Sequence, residues 1–296
     1  MLGRPEVLGL LENIRQQPEE PTLRLILADW LDDHAECQAD RARADILRFQ
    51  VRGGADPGVR RLQATFANQW LGPLQPYCQF VTCRGGLLSL RIHGPNLAAR
   101  AFQQLLESEY WAWVDELEIR PPLPSRLQLS ALMRPISSLL LPQMPSNCPL
   151  VEWAQAGWLQ RLRRLDLSGW HSSLIDVENV FLPAQLTQLQ ELIFSRSLLS
   201  VRSLRSILRL RLRRLVLSRA TLGDAEVQQL ASEPNLASVE ELDLTDNAIL
   251  DRGALALVDS PYLTRIQVLT LFGNLFGGEA RRRLRERFGA RVLFVG

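Results

Sequence analysis

Asp29, Asp32, Asp33 and His34 fall within six positions at the end of the apolar run LRLILADWLDDH. Carboxylates beside an imidazole are the groups that hold divalent metals or exchange protons. Their spacing argues against convergence. On a helix Asp29 and Asp33, four apart, share one face, while Leu23, Ile26, Leu27, Trp30 and Leu31 occupy the other. A metal would need ligands arriving from elsewhere in the chain, and only His34 is close. The cluster therefore reads as a polar helix end. Asp29 is placed to pair with Arg41, Arg43 or Arg48 of the next segment, and Asp32 and Asp33 at the helix end call for cations or solvent.

The other chemistry-bearing residues are as scattered. His93 and His171 are distant from His34 and from each other. Cys37, Cys78, Cys83 and Cys148 are too few and too dispersed for a disulfide framework, and Cys78 and Cys83 lack a second pair or a histidine at zinc-ligand spacing. Reduced, buried thiols are expected. All 34 basic residues are arginine, which removes a Schiff-base or phosphate-loop lysine. No nucleophile-elbow, zinc-protease, phosphate-loop or dinucleotide fingerprint is present. These residues predict a protein that is not an enzyme, with no cofactor and no metal.

Positioning elements must then be sought for binding rather than catalysis. The chain has 296 residues, 46% hydrophobic and 22% charged, with a net charge of +2. That is an ordinary globular composition, with no global polyelectrolyte argument for nucleic acid. The N-terminal stretch mixes charge and proline into its apolar residues, and no run approaches the ~20 apolar residues of a membrane span. A cytoplasmic location is expected.

Beyond residue 86 the pattern L-x-x-L-x-L recurs eight times: LLSLRI, VDELEI, ISSLLL, LRRLDL, LQELIF, LRRLVL, VEELDL and IQVLTL. Its second apolar position falls at Leu90, Leu117, Leu139, Leu165, Leu192, Leu215, Leu242 and Leu269, mostly 26 or 27 residues apart. A period in the twenties with this pattern is the leucine-rich-repeat signature. Segments such as DAEVQQLAS and RGALALVDS return with helical spacing. One unit cannot bury its apolar face alone, whereas stacked units share a continuous core. The expected fold is an α/β solenoid of about eight repeats, with parallel strands on the concave face and helices on the convex face. The helix EARRRLRERFG and the strand ARVLFV should close it.

The last two repeats resemble the ribonuclease-inhibitor type found in planctomycete bacteria, with Asn247 and Asn274 at the asparagine position. Trp170, Ser197 and Thr221 depart from it, which implies less regular turns there. Residues 5 to 70 show four helical segments and no strand pattern. Pro21, Leu25, Ala28, Asp29, Trp30, Leu31, Asp32 and Asp33, then Arg43, Ala44, Asp45, Ile46, Arg48 and Gln50, resemble the planctomycete repeat-companion domain. That resemblance implies a helical module preceding repeats and assigns no activity. The expected division is a helical module at 1–78 and the repeats at 79–296.

Alternation along the strands predicts three outward rows. In the first, Arg164, Glu191, Arg214 and Glu241 alternate in sign and should neutralise one another. The central row offers Glu118, Asp166, Ile193, Val216, Asp243 and Thr270, acids and aliphatics suited to a protein partner carrying basic residues. The third row runs through Ser168, Ser195, Ser218 and Thr245 to Phe272, a possible anchor. Trp170, at a loop edge, is a second anchor candidate. The alternative surface is basic: Arg202, Arg205 and Arg209, with the arginines of the last helix, could serve nucleic acid. The residues lead to a protein–protein interaction module, scaffold or inhibitor-type subunit, with a nucleic-acid-associated subunit as the alternative.

Overall fold

The computed structural model describes residues 5–53, 57–106, 108–123, 135–143, 148–170, 186–199 and 201–294, without the side chains of Val201 and Arg202. Its contacts separate two compact units, Met1–Leu139 and Leu140–Gly296.

The first unit opens with the four expected helices: α1 (Pro5–Gln16), α2 (Pro21–Asp33), α3 (Gln38–Arg52) and α4 (Pro57–Leu71). Three begin on proline, whose fixed φ and missing N–H suit a first helical turn. Glu20 accepts from the Thr22 N–H at the start of α2, and the Asp40 carboxylate accepts from the Cys37 N–H at the start of α3. Val7, Leu11, Leu27, Ala28, Leu31, Ile46 and Leu47 form the helical core. The buried face of α2 runs through Leu27, Ala28 and Leu31, and Ile26, expected on that face, is exposed. Packing on α3 selected a narrower stripe than the full apolar arc.

The helices pack directly on the first strands. β1 (Cys78–Arg84) is an antiparallel strand outside the repeat pattern, paired to β2 (Leu87–His93). Gly85 and Gly86 join them with φ of 56° and 81°, the two positive values that a tight two-residue hairpin turn demands. Gln50 of α3 clamps this turn, donating to the Cys83 carbonyl at 2.7 Å and accepting from the Gly85 N–H at 2.7 Å. Gln63 of α4 donates to the same carbonyl. β2 then pairs in parallel with β3 (Val114–Arg120), Leu90 opposite Leu117. Two short helices, α5 (Gly94–Ala98) and α6 (Arg100–Gln103), lie between them. The expected boundary at residue 78 thus marks a change in sequence pattern inside a unit whose contacts run continuously from α1 to β3. The unit boundary falls within β4 (Ser138–Leu140).

In the second unit β5 (Arg164–Asp166), β6 (Glu191–Ile193), β7 (Arg214–Val216), β8 (Glu241–Asp243), β9 (Val268–Thr270) and β10 (Val292–Leu293) pair in chain order, all parallel. Leu165, Leu192, Leu215, Leu242 and Leu269 stand in register, each at most 1% exposed. The return segments carry α7 (Leu150–Gln155), α8 (Val201–Ile207), α9 (Asp224–Ala231) and α10 (Asp251–Asp259), and α11 (Gly278–Phe288) precedes the closing β10. Aspartates link successive helix starts. Asp224 accepts from the Leu250 and Gly253 N–H groups and Asp251 from the Gly277 N–H, so each carboxylate supplies an acceptor to donors at the start of the next helix. This is the leucine-rich-repeat fold, an α/β arrangement in which every repeat contributes one strand position and one return.

Candidate functional site

Two of the three acids that open the chemical question, Asp29 and Asp32, are tied to one arginine. Arg48 of α3 reaches Asp29 at 2.7 Å and Asp32 at 2.6 Å. His34 Nδ1 donates to the Trp30 carbonyl, and its ring stacks on that of Trp30. Both carboxylates are well exposed, so water screens the pairs. Arg48→Met should cost no more than about 1 kcal/mol in a urea unfolding titration. A loss several times larger would mean that this cluster does more than join α2 to α3. Among the described residues no group of three or more His, Cys, Asp and Glu side chains could hold a metal ion.

The cysteines divide. Burial pushes the Cys78 thiol up to about 12 and the Cys83 thiol to about 11, so neither is a thiolate at neutral pH. Cys37, expected to be buried, is exposed at the start of α3, because the loop before that helix lies on the surface. Arg43 is the one of the three arginines considered for Asp29 that went inside. Its guanidinium lies 4.0 Å from the Trp113 ring centroid and 5.3 Å from that of Trp70, and desolvation lowers its pKa to about 10.

Glu118, the candidate in the first unit, offers no unpaired charge. It is 9% exposed, and Arg91 reaches it at 2.8 Å and Arg120 at 2.6 Å. Burial pushes its carboxyl pKa up, but the hydrogen bonds and charges of the two arginines outweigh burial, and the net shift is downward. A depressed folded-state pKa gives stability that is present above the unfolded value and lost as pH falls through the folded one. Glu118→Gln should therefore remove stability near neutral pH and flatten the acid limb of the stability profile. Parallel pH profiles for the two proteins would refute this.

The second unit presents the open sheet face. Its first row forms the expected alternating ladder: Glu191 lies 3.8 Å from Arg164 and 3.6 Å from Arg214, and Arg214 lies 3.0 Å from Glu241. In the central row Asp166, Ile193, Val216, Asp243 and Thr270 stand side by side in register. Ile193 and Val216 are almost covered at 8% each, while Asp166 and Asp243 are half-buried. Each aspartate turns one oxygen back on its own strand: Asp166 Oδ1 accepts from the Ser168 N–H and hydroxyl, and Asp243 Oδ1 accepts from the Thr245 N–H. Neither makes an ion pair among the described residues.

The hydroxyl row borders a concavity of about 470 Å³ lined by Ser168, Ser195, Arg196, Ser218, Arg219, Asp243, Thr245 and Asp246. The Ser195 and Ser218 hydroxyls meet at 2.8 Å. Phe272, at the end of this row, is exposed. Arg196, Arg219 and Asp246 were not singled out from the sequence. They share the position four residues after the second leucine with Gln143, Gly169 and Gly273, and all six have positive φ. A column of glycine, aspartate and other residues at that offset is the signal that could have found them, since glycine and aspartate tolerate this backbone. Arg219 pairs with Asp246 at 2.8 Å across adjacent repeats.

One offset further in, the asparagine position explains why these strands turn alike. Asn247 donates to the carbonyls of Leu217 and Leu244 at 2.9 Å and accepts from the Ala220 and Leu222 N–H groups. Asn274 repeats the pattern, donating to Leu244 and Leu271 and accepting from Ile249. Two of the three repeats that depart from asparagine find substitutes. Ser197 Oγ donates to the Leu167 carbonyl, and Trp170 Nε1 donates to the Leu141 carbonyl at 2.9 Å. Each acceptor is the carbonyl two residues after the second leucine of the preceding repeat. Trp170, considered as a binding anchor, is 1% exposed and does the asparagine's work from the core. His171 beside it, and most of the proline-rich stretch 121–149, lie outside the described residues.

The outer arginines are mostly engaged. In α11, Arg282 pairs with Glu279 and Glu286, Arg283 reaches Asp259, and Arg287 donates to the carbonyls of Leu257, Val258 and Ser260 at the end of α10. Arg213 pairs with Glu240, which also meets Arg265. Arg205 and Arg209 are exposed, and the Arg202 side chain lies outside the described set.

No family model and no curated protein matches this chain. Solved structures resemble it at low identity. An internalin from Listeria monocytogenes aligns at 16% identity and a TM-score of 0.40, over 63% of this chain and 55% of its own. A Bacteroides fragilis protein aligns at 11% and 0.36, over 66% and 69%. A leucine-rich-repeat protein of Leptospira interrogans aligns at 16% and 0.34, over 64% and 51%. The chain spans about half the length of the Listeria and Leptospira proteins. No described helix is long and apolar enough to cross a membrane. The strand register and the shared hydrogen-bond position of Trp170, Ser197, Asn247 and Asn274 are what mark these as leucine-rich repeats.

Proposed function

We propose that this chain is a non-catalytic protein-binding module, a scaffold or inhibitor-type subunit, whose second-unit sheet face receives the partner. The observation that carries this reading is the central row. Ile193 and Val216 form an apolar floor between Asp166 and Asp243, the small hydroxyls lie on one side, and a self-neutralised ladder lies on the other. Such a surface lets another chain approach closely, and it leaves two carboxylates without an ion-pair partner among the described residues. Thr270 and Phe272 extend it toward β9. The helical module at 1–78 braces the first strands through Gln50 and Gln63.

The test is a selection of random linear peptides displayed on phage against the immobilised full chain, with Ser218→Arg as counter-target. Ser218 stands mid-row with a small side chain, so an arginine there blocks the face while leaving the leucine core intact. Binders that lose affinity for Ser218→Arg are expected. Binders indifferent to it would overturn the reading.

The alternative, a nucleic-acid-associated subunit, rests on Arg205 and Arg209, exposed on the return segment of one repeat. It requires binding to a duplex or single strand that weakens steeply with salt. It also requires loss on Arg205→Ala with Arg209→Ala.

A further inference from the structure

We infer that the second-unit sheet face binds an extended segment of a partner protein with the pattern basic–x–apolar–x–basic, running across the strands from β5 to β8. The inference rests on the protein-binding reading above and names the chemistry of its ligand.

Asp166 and Asp243 are in register on β5 and β8, three strand spacings apart. At about 4.8 Å per spacing that separation is roughly 14 Å. An extended chain advances about 3.3 Å per residue and returns to the same face every second residue. Residues i and i+4 of such a chain therefore lie about 13 Å apart on one face, a match to the two carboxylates. Residue i+2 falls midway, over Ile193 and Val216, the nearly covered aliphatic pair between the acids.

Charge selects the occupant. The flanking arginines and glutamates of the first row pair with one another. Arg219 is taken by Asp246. Arg196 lines the same concavity as Asp243, but among the described residues it makes no ion pair with either aspartate. The central row is thus left with two negative groups that no described cation pairs with. Each aspartate keeps one oxygen on its own strand's N–H, which fixes the carboxylate and leaves the second oxygen for a guanidinium or ammonium. The Ser168, Ser195, Ser218 and Thr245 hydroxyls lie alongside, small enough to admit a peptide backbone and able to hydrogen-bond it.

The probe is the synthetic peptide Gly-Arg-Ser-Val-Ser-Arg-Gly, labelled and titrated against the full chain to millimolar concentration by fluorescence anisotropy. A control moves the second arginine one residue closer. The variants are Asp166→Asn and Asp243→Asn, in which the amide oxygen can still accept the strand N–H. The expected result is saturable binding, weakened roughly fivefold by each substitution. The shifted-spacing peptide should bind several-fold more weakly and lose nothing further on Asp243→Asn. Absence of binding, equal affinity for the two spacings, or indifference to both Asn variants overturns this inference. If displayed peptides of another pattern are still lost on Ser218→Arg, the face binds protein and only the ligand chemistry falls. If no binder depends on Ser218, both fall.

Discussion

Asn247→Ala should destabilise the second unit by about 3–5 kcal/mol, more than any single hydrogen-bond deletion elsewhere in the repeats. The side chain is buried, donates to two carbonyls at 2.9 Å and a third at 3.3 Å, and accepts from two N–H groups. Alanine leaves two backbone donors, the Ala220 and Leu222 N–H groups, and one acceptor, the Leu217 carbonyl, unpaired in a dry turn, while Asn274 still serves the Leu244 carbonyl; each buried unsatisfied group costs about 1–3 kcal/mol. Partial entry of water keeps the total below the sum. Because the bonds join the repeats of Leu215 and Leu242, the damage should spread to neighbours through the stacking interface. Urea unfolding followed by circular dichroism measures it. The control is Ser197→Ala, which removes a single weak donor to Leu167 and should cost about 1 kcal/mol. Equal losses for the two variants would show that the asparagine bonds do not hold the repeats together.

Trp170→Ala should cost a similar amount, about 3–5 kcal/mol, through a different mechanism. Trp170 is among the largest fully buried side chains, so truncation removes its transfer free energy and leaves a cavity. It also strands the Leu141 carbonyl, which Nε1 now satisfies. Trp170→Phe separates the two contributions, since phenylalanine refills most of the volume without a donor; a loss of about 1–2 kcal/mol is expected. The readout is thermal unfolding, where a few kcal/mol in a unit of this size lowers Tm on the order of 10 °C. A Trp170→Ala protein as stable as wild type, yet unable to retain selected peptides, would make the residue an anchor after all.

These two side chains show where reading the sequence succeeds and where it stops. The eight strands were legible because burial in a stacked repeat imposes apolar residues at fixed offsets, and Leu90 through Leu269 announce that offset directly. The alternating ladder of Arg164, Glu191, Arg214 and Glu241 followed from the same register. The four helices of residues 5 to 71 were legible from 3.6-residue spacing, and Asp29 did find one of its expected arginines. The antiparallel β1 was not, since CQFVTCR carries no leucine pattern and gains its place only from the Gly85–Gly86 turn and the glutamines that clamp it.

The candidate face was half legible. Asp166, Ile193, Val216 and Asp243 were placed in one row by alternation alone. The neighbouring Arg196, Arg219 and Asp246 were not, because their position depends on a left-handed backbone that many residue types adopt there. Glu118 was assigned to an open row, but Arg91 and Arg120 close on it.

The sequence by itself determined the period, the inward leucines, the outward rows and the order of charges, because each follows from offsets within one repeat or between identical positions of successive repeats. Only the tertiary structure decided that an indole and a serine hydroxyl stand in for asparagine. It alone put Arg43 inside and Arg48 on the surface, and left Asp166 and Asp243 without ion-pair partners among the described residues while Glu118, Glu191 and Asp246 were paired. The physical reason is reach: a backbone pattern repeats locally, but a hydrogen bond or an ion pair goes to whichever group the neighbouring repeat or helix brings within 3 Å, and nothing in the local spacing names that group.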